Sequence, residues 1–361
     1  MTVLSKEIPL RKWVCGNCHE YNPGQKVCSI LKHTMDPQDY ICCVGLRYFA
    51  DRGVTYNPQL ILSSIDSSTR KASLSKIPCL SGHEGFNRKI KLGLECPDSI
   101  ADYILPLGDI YFMLAKEVLK SKDEELQDIM SSPLGTLDTL KLKKVTFFQS
   151  FPRPIYLDTS VNEEGTPCSL DEMRQAAFQI NPTKVVAQDF LGDSEKTLKV
   201  LPEATEAFGR SDLLPVVQGS SLEEVLHCAH VIRGYNFTSL AVPYDLILGK
   251  TQPVDRMARV RSAIVHYLVN TLNFNSIHLL GLTSLEELYL YFFDKPTRDG
   301  IDSLDTGGPV LLGLNGLRYP TEYIFKGTPT LNIMKEKDSK NGITPGLEFI
   351  TWNIAFLKTL L

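Results

Sequence analysis

From about residue 144 onward the chain repeats one pattern: a short apolar run, a polar turn, then a stretch with helical spacing of its apolar positions. No other feature constrains the fold as strongly. Neighbouring parallel strands need a long crossover between them, and a helix is the usual crossover. The runs FFQS, IYLD, VVAQD, PVVQG, LAVPYD, HLLGL and IDSLD supply seven strand candidates after residue 140. One earlier strand completes eight, and eight βα units predict an α/β fold of the (β/α)8 TIM-barrel type. An open doubly wound sheet is less well matched, because no Gly-x-Gly-x-x-Gly follows an early strand.

The helices carry their own start signals. SLDEMRQAAFQI opens with Ser169 and places Glu172 three residues on, which predicts a capping box. SLEEVLHCAHVIRGY is again opened by Ser and closed near Gly. VDRMARVRSAIVHYLVNTL, SLEELYLYFF and GLEFITWNIAFLKTLL read as further helices, and SEKTLKVLPEATEAFGR as helix or loop. Upstream, LILSSID and RKIKLGLE read as short strands between polar turns. DSIADYILPLGDIYFMLAKEVLKS reads as helix, starting at Asp98 or Ser99, with Pro106 near an interruption. DEELQDIM adds another turn or two.

A hydrophobic fraction of 43% is enough for a sizeable core. No run of about 18 apolar residues exists, so no transmembrane helix is expected. The N-terminus lacks an apolar signal region, so a cytoplasmic protein is expected. The net charge of −4 gives no global basic field. Local basic stretches at 70–76, 88–91, 141–144 and 256–261 are each expected to be solvated surface.

Five of the nine cysteines fall within residues 1–50. In a reducing compartment, clustered cysteines more often bind metal than pair as disulfides. CGNCHEYNPGQKVC gives Cys15, Cys18 and Cys28. A Cys-x-x-Cys pair suits two thiolates on one Zn2+ at about 2.3 Å. Cys42, Cys43 or His33 can close the tetrahedron, with Cys42 preferred, since alternation in YICCVGLRYF lets only one of the adjacent cysteines face the site. Unligated buried or surface thiols are the next alternative, and an iron–sulfur or redox role the lesser one. Cys79 with His83, and His227 with His230, read as incidental. The expected organisation is a zinc-binding segment over 1–50, packed on a barrel domain over 51–361.

In such a barrel the C-terminal ends of the strands build the active site. Those ends carry Asp158, Asp189, Gln218 with Gly219, Tyr244 with Asp245, Gly281, and Asp305. Any one of them alone is more simply a turn former or helix cap. Together they put several carboxylates and a Gln-Gly pair on one rim. Two carboxylates across a small pocket suit glycosidic-bond chemistry, one stabilising or attacking the anomeric carbon and the other moving protons. A third carboxylate with a glutamine suits the donor and acceptor edge of a purine.

Over about residues 145–315 these motifs, in their order, resemble the tRNA-guanine transglycosylase superfamily. LLPVVQG resembles its Val-Gln-Gly strand end, SIHLLGL its His-Leu-Leu-Gly-like strand, and GIDSLDTGGPV its Val-Asp-x-x-Asp-like motif. PIYLDTS resembles the strand ending in the other catalytic aspartate, and VVAQDF the strand carrying a base-recognising aspartate. The chain departs from the tRNA enzymes in three places. Asp158 is followed by TSVNEEG rather than Ser-Gly-Gly-Phe-Gln, LAVPYD replaces Leu-Ala-Val-Gly, and no cysteine follows Cys228. This profile is more similar to the DpdA-type DNA 7-deazaguanine transglycosylases of phages and bacterial DNA-modification clusters.

The resemblance implies a nucleophilic Asp305, with Asp158 managing protons. Asp189 and Gln218 would read the base, Gly219 and Gly281 would allow its close approach, and Tyr244 would stack on it or close the pocket. DNA is the implied polymer, with tRNA the alternative. A 7-deazaguanine such as 7-cyano-7-deazaguanine is the implied incoming base, and no organic cofactor is required. A non-catalytic nucleic-acid-binding paralogue and an unrelated barrel hydrolase of nucleosides or sugars are the competing readings. Gly307, Gly308 and Pro309 are expected to turn the chain so that Asp305 is exposed, with Asp302 supporting the site or the barrel wall.

Overall fold

Eight short apolar runs pair side by side, all parallel, in the computed structural model, which describes residues 21–22, 27–28, 90–96, 104–119, 153–246, 254–282, 285–317 and 347–361. The strands are β1 (Lys91–Leu94), β2 (Ile110–Leu114), β3 (Ile155–Asp158), β4 (Lys184–Val186), β5 (Leu213–Leu214), β6 (Ser239–Pro243), β7 (Ser276–Leu280) and β8 (Ile301–Thr306). Their order is β5-β4-β3-β2-β1-β8-β7-β6. The two edge strands meet through a parallel bridge between Val216 and Ala241. There Ala241 N donates to Pro215 O at 2.7 Å and Val217 N to Ala241 O at 3.2 Å. The result is a nearly closed eight-stranded barrel of the (β/α)8 kind.

The helices that follow are α1 (Leu170–Ile180), α2 (Ser194–Phe208), α3 (Leu222–Gly234), α4 (Val254–Asn270), α5 (Leu285–Phe293), α6 (Lys295–Asp299), α7 (Gly308–Leu314) and α8 (Leu347–Leu360). Ser169 and Glu172 form the expected capping box on α1. Asp193 caps α2 through Lys196 N, and Ser221 caps α3 through Glu224 N. Such caps satisfy amide groups that the first helical turn leaves unpaired. α2 continues past Pro202 and buries Thr197, Leu201 and Ala204 on one face.

Strand alternation divides the apolar residues into two sets. Ile110, Phe112, Tyr156, Val186, Leu214, Val216 and Ala241 pack together inside the barrel. Their sequence neighbours, such as Tyr111, Ile155, Leu157 and Val185, pack in the much larger layer between strands and helices. Burial on both faces explains why the strands read as continuous apolar runs. α8 closes the chain by packing on α7, where a Cβ on Gly313 would overlap Ile350. Lys358 Nζ donates to Asp109 Oδ1 at 3.0 Å, and Leu92 N donates to Asp109 Oδ2 at 3.1 Å, tying α8 to the start of the barrel.

Three expectations are corrected. Residues 110–114 are strand β2, not part of a helix. A 3-10 turn at Leu105–Leu107, with Pro106 inside it, breaks any helix, and Ile-Tyr-Phe-Met-Leu has no helical period to resist pairing with β1 and β3. Gly307, Gly308 and Pro309 form no open turn: Gly307 caps α7 and Pro309 lies in its first turn. Asp305 is accordingly buried, with 1% of its surface exposed. The third concerns 256–261, where Arg259 and Arg261 are buried rather than solvated.

No described helix is long and apolar enough to cross a membrane. Upstream of the barrel, Tyr21–Asn22 and Val27–Cys28 form a small antiparallel ladder with Tyr21 opposite Cys28. The other expected zinc ligands, Cys15, Cys18 and Cys42, lie outside the described residues. So do Cys43, His33, Cys79, His83, the boundary near residue 50, and the FFQS, LILSSID and DEELQDIM segments.

Candidate active site

The barrel mouth gathers polar side chains from six of its strands, and the most tightly held is Asp305 on β8. Register places it beside Gly93 of β1, where a Cβ would come within 3.3 Å of Asp305 Cβ. Glycine at that position leaves room for the carboxylate. Gly281 N, just past β7, donates to both carboxylate oxygens at 3.1 Å. His278 Nε2 lies 3.1 Å from Asp305 Oδ1, and His278 Nδ1 lies 2.8 Å from Ser303 Oγ.

The imidazole is fully buried, and burial pushes its pKa down to about 3, so the ring is neutral. A neutral ring has one N–H and one acceptor nitrogen. Asp305, as a carboxylate, can only accept, so Nε2 carries the hydrogen and Nδ1 accepts from Ser303. Tyr156, whose pKa burial raises, is also hydrogen-bonded to Ser303. Ser303, His278 and Asp305 thus form one chain of hydrogen bonds. Phe112 stacks on the imidazole at 5.6 Å and Tyr156 meets it edge-on at 5.4 Å, which fixes the ring plane.

Glu95, directly after β1, also reaches Asp305 with its side chain. Its backbone N donates to Thr306 O at 3.2 Å. Burial first, then the Asp305 charge, raise its pKa well above the carboxylate range.

Asp158 ends β3 and is largely buried. Ser160 N donates to its Oδ2 at 3.0 Å, and Ser160 itself adopts the left-handed conformation (φ 62°). Thr159 Oγ1 reaches Asp189 Oδ1 at 3.4 Å. Thr159 and Ser160, the two residues after Asp158, thus bond to the carboxylates of Asp189 and Asp158 respectively.

Asp189, after β4, is 2% exposed. Gln218 Nε2 donates to Asp189 Oδ2 at 2.6 Å, while Gln218 Oε1 accepts from Gly192 N at 3.1 Å. Both ends of the amide are engaged, so Gln218 orients Asp189 and retains one N–H for a ligand. Burial, opposed by the Gln218 hydrogen bond and reinforced by the charge of Asp245, lifts Asp189 to about 7.

A carboxyl whose folded-state pKa is raised favours the fold below its unfolded value near 4, and that contribution is lost as pH rises through about 7. His278 acts oppositely: its depressed pKa favours the fold above its unfolded value near 6.5, a contribution lost as pH falls toward 3. Asp189→Asn isolates the first effect. Its melting temperature is expected to exceed the wild type's by roughly 3 °C or more at pH 8 and to converge with it near pH 4. Thermal unfolding across pH checks this, and a gap independent of pH refutes it.

The glycines expected to admit a base have structural duties. A Cβ on Gly219 would lie 2.7 Å from Val225 N, so this glycine admits the first turn of α3. Gly281 has φ +67°, and a Cβ there would lie 3.0 Å from the Tyr244 ring. Tyr244 thus packs over the peptide that holds Asp305. From α4, Arg261 reaches the same strand ends: its Nη1 donates to Leu280 O at 2.6 Å and its Nη2 to Gly281 O at 3.0 Å. Glu287 on α5 balances the guanidinium, with Nε to Oε1 at 2.7 Å, and Tyr291 donates to the same oxygen at 2.8 Å. Asp302 is not at the mouth; it pairs with Lys91 at 3.2 Å, at the first residue of β1.

The fold brings Asp305, Gly281 and Tyr244 together, and separately Asp158, Asp189 and Gln218. Sequence reasoning passed over Glu95, His278, Ser303, Tyr156 and Arg261. His278 could have been found by alternation, since it lies two residues before Leu280 on an inward face. Glu95 ends an apolar strand run, as the other mouth carboxylates do, while nothing local marks Arg261. Among the described residues, no group of three or more His, Cys, Asp or Glu is placed to hold a metal. The class defined by fold and site is an eight-stranded parallel α/β barrel with an acidic mouth. No protein-family model matches the chain, and no curated protein matches its sequence.

Proposed function

We propose that this protein exchanges guanine in DNA for a 7-deazaguanine through a covalent aspartyl-glycosyl intermediate, with tRNA as the alternative polymer. The observation that carries the reading is Asp305. It is a buried carboxylate held in orientation by a backbone N–H and a neutral histidine, in a barrel mouth that also holds the Asp189–Gln218 pair. A nucleophile needs that combination of fixed geometry and retained charge.

In the first displacement an Asp305 oxygen bonds to C1′ of the target nucleotide. The C1′–N9 bond breaks, its electron pair leaves with guanine, and Asp158 supplies the proton. In the second, Asp158 takes the N9 proton of the incoming base, N9 bonds to C1′ on the same face, and the ester bond breaks to regenerate the Asp305 carboxylate. Two inversions give net retention. Asp189 would accept from the N–H groups of the purine edge, and such donors hold it ionised when the base is bound. The target nucleotide must leave the base stack to reach this depth, or be single-stranded already. Cys15, Cys18, Cys28 and Cys42 are proposed to hold a structural zinc. The ladder that sets Cys28 opposite Tyr21 supports this, since it turns the chain back to within three residues of Cys18.

Radiolabelled guanine incubated with the protein and either guanine-containing DNA or tRNA is the direct test. Label entering DNA is the expected result, and label entering tRNA alone selects the alternative. No transfer to either, with release of free base from nucleosides, would move the barrel to the hydrolases.

A further inference from the structure

We infer that Glu95 is a further positioning residue of this site: as a neutral carboxylic acid it donates to Asp305, so that the pair carries one proton and one negative charge. The inference rests on the base-exchange reading for its purpose but not for its geometry. β1 and β8 pair with Gly93 beside Asp305, and Glu95 lies two residues further on, on the same strand face. Its backbone is fixed by the bond from Glu95 N to Thr306 O. Its side chain is hydrogen-bonded to that of Asp305.

Two ionised carboxylates have only acceptors to offer each other, so a hydrogen bond between them requires a proton on one. The surroundings decide which. Asp305 receives Gly281 N–H on both oxygens and His278 N–H on one, and these donors favour its charged form. Glu95 faces the Asp305 charge from β8 and that of Glu117, beyond the end of β2. The other charged groups nearby are committed elsewhere: Arg261 to Glu287, and Asp302 to Lys91. His278 is neutral. The proton therefore resides on Glu95.

This arrangement has a use in both displacements. As Asp305 forms the ester with C1′, the Glu95 hydroxyl keeps its bond to the remaining oxygen. As the ester breaks, the same hydroxyl stabilises the departing carboxylate. The proton stays on Glu95 throughout, so no co-reactant is needed. The glutamate prevents like-charge repulsion at the nucleophile while holding it against the strand end.

Two measurements test this. In full-length protein labelled with 13C at glutamate carboxyls, the Glu95 resonance, assigned by its loss in Glu95→Gln, should remain at the protonated position while surface glutamates ionise. Titration together with the surface glutamates would overturn the inference, and this arm needs no substrate. In the exchange assay, Glu95→Gln, which keeps a donor, should lose less than about tenfold. Glu95→Ala should lose about 10- to 100-fold, the range for removing a hydrogen bond to a charged group. Wild type should lose rate on the alkaline side more steeply than Glu95→Gln. A Glu95→Gln loss as deep as that of Asp305→Asn would overturn the assignment by making Glu95 the attacking group, and so would a Glu95→Ala variant with wild-type rate and pH profile. If wild type itself transfers no base, the functional reading fails and the resonance alone decides the pair.

Discussion

Asp305→Asn should lower base exchange by at least about a thousandfold, the scale on which loss of a covalent nucleophile is felt. The amide nitrogen and oxygen cannot displace a purine from C1′, so no glycosyl-enzyme should accumulate when the second base is withheld. The substitution leaves the backbone of β8 and its pairing with β1 and β7 in place, and circular dichroism should confirm an intact barrel. The readouts are incorporation of labelled guanine and denaturing electrophoresis for a protein–nucleic acid adduct. Undiminished exchange in this variant would exclude Asp305 as nucleophile.

Arg261→Met should destabilise the protein by about 3–5 kcal/mol, the range found when one partner of a buried ion pair is removed. Arg261 and Glu287 are both almost wholly excluded from solvent. Methionine fills much of the space but leaves Glu287 with only the Tyr291 hydroxyl as a described partner. Burial of an uncompensated charge, more than lost attraction, accounts for the cost. The double variant Arg261→Met, Glu287→Leu should recover most of the stability in urea unfolding. It should not recover exchange, because the guanidinium also holds Leu280 O and Gly281 O, at the strand end that presents Gly281 N–H to Asp305. A single variant that costs less than about 1 kcal/mol would show that the pair is not the strut of this strand end.

The parts of the fold read correctly from the sequence are those where one signal had no competitor. IYLD, VVAQD, LAVPYD, HLLGL and IDSLD are too short for helices and are bounded by turn residues, and β3, β4, β6, β7 and β8 fall on them. Ser169 with Glu172 three residues on announces the start of α1 because capping is a local interaction. β2 carries no such unopposed signal. Ile110–Leu114 has no period to separate strand from helix, and pairing with β1 and β3 settled it.

The candidate site divides in the same way. Asp158, Asp189, Gln218 and Asp305 were visible because a polar residue at the end of an apolar strand run is a local pattern. Glu95 belongs to that pattern too, but its strand was not counted among the barrel's. Arg261 was hidden because a helix turned inward by its apolar neighbours carries the same basic letters as a solvated one.

The sequence by itself determined that strands and helices alternate, and that carboxylates end several of the strands. Both follow from interactions within a few residues: alternating burial, caps and turns. Only the tertiary structure decided which carboxylates meet, which glycines admit a helix or a ring, and which charges are buried. Those depend on register between strands far apart in the chain. Glu95 meets Asp305 because β1 pairs with β8, and more than two hundred residues separate the two.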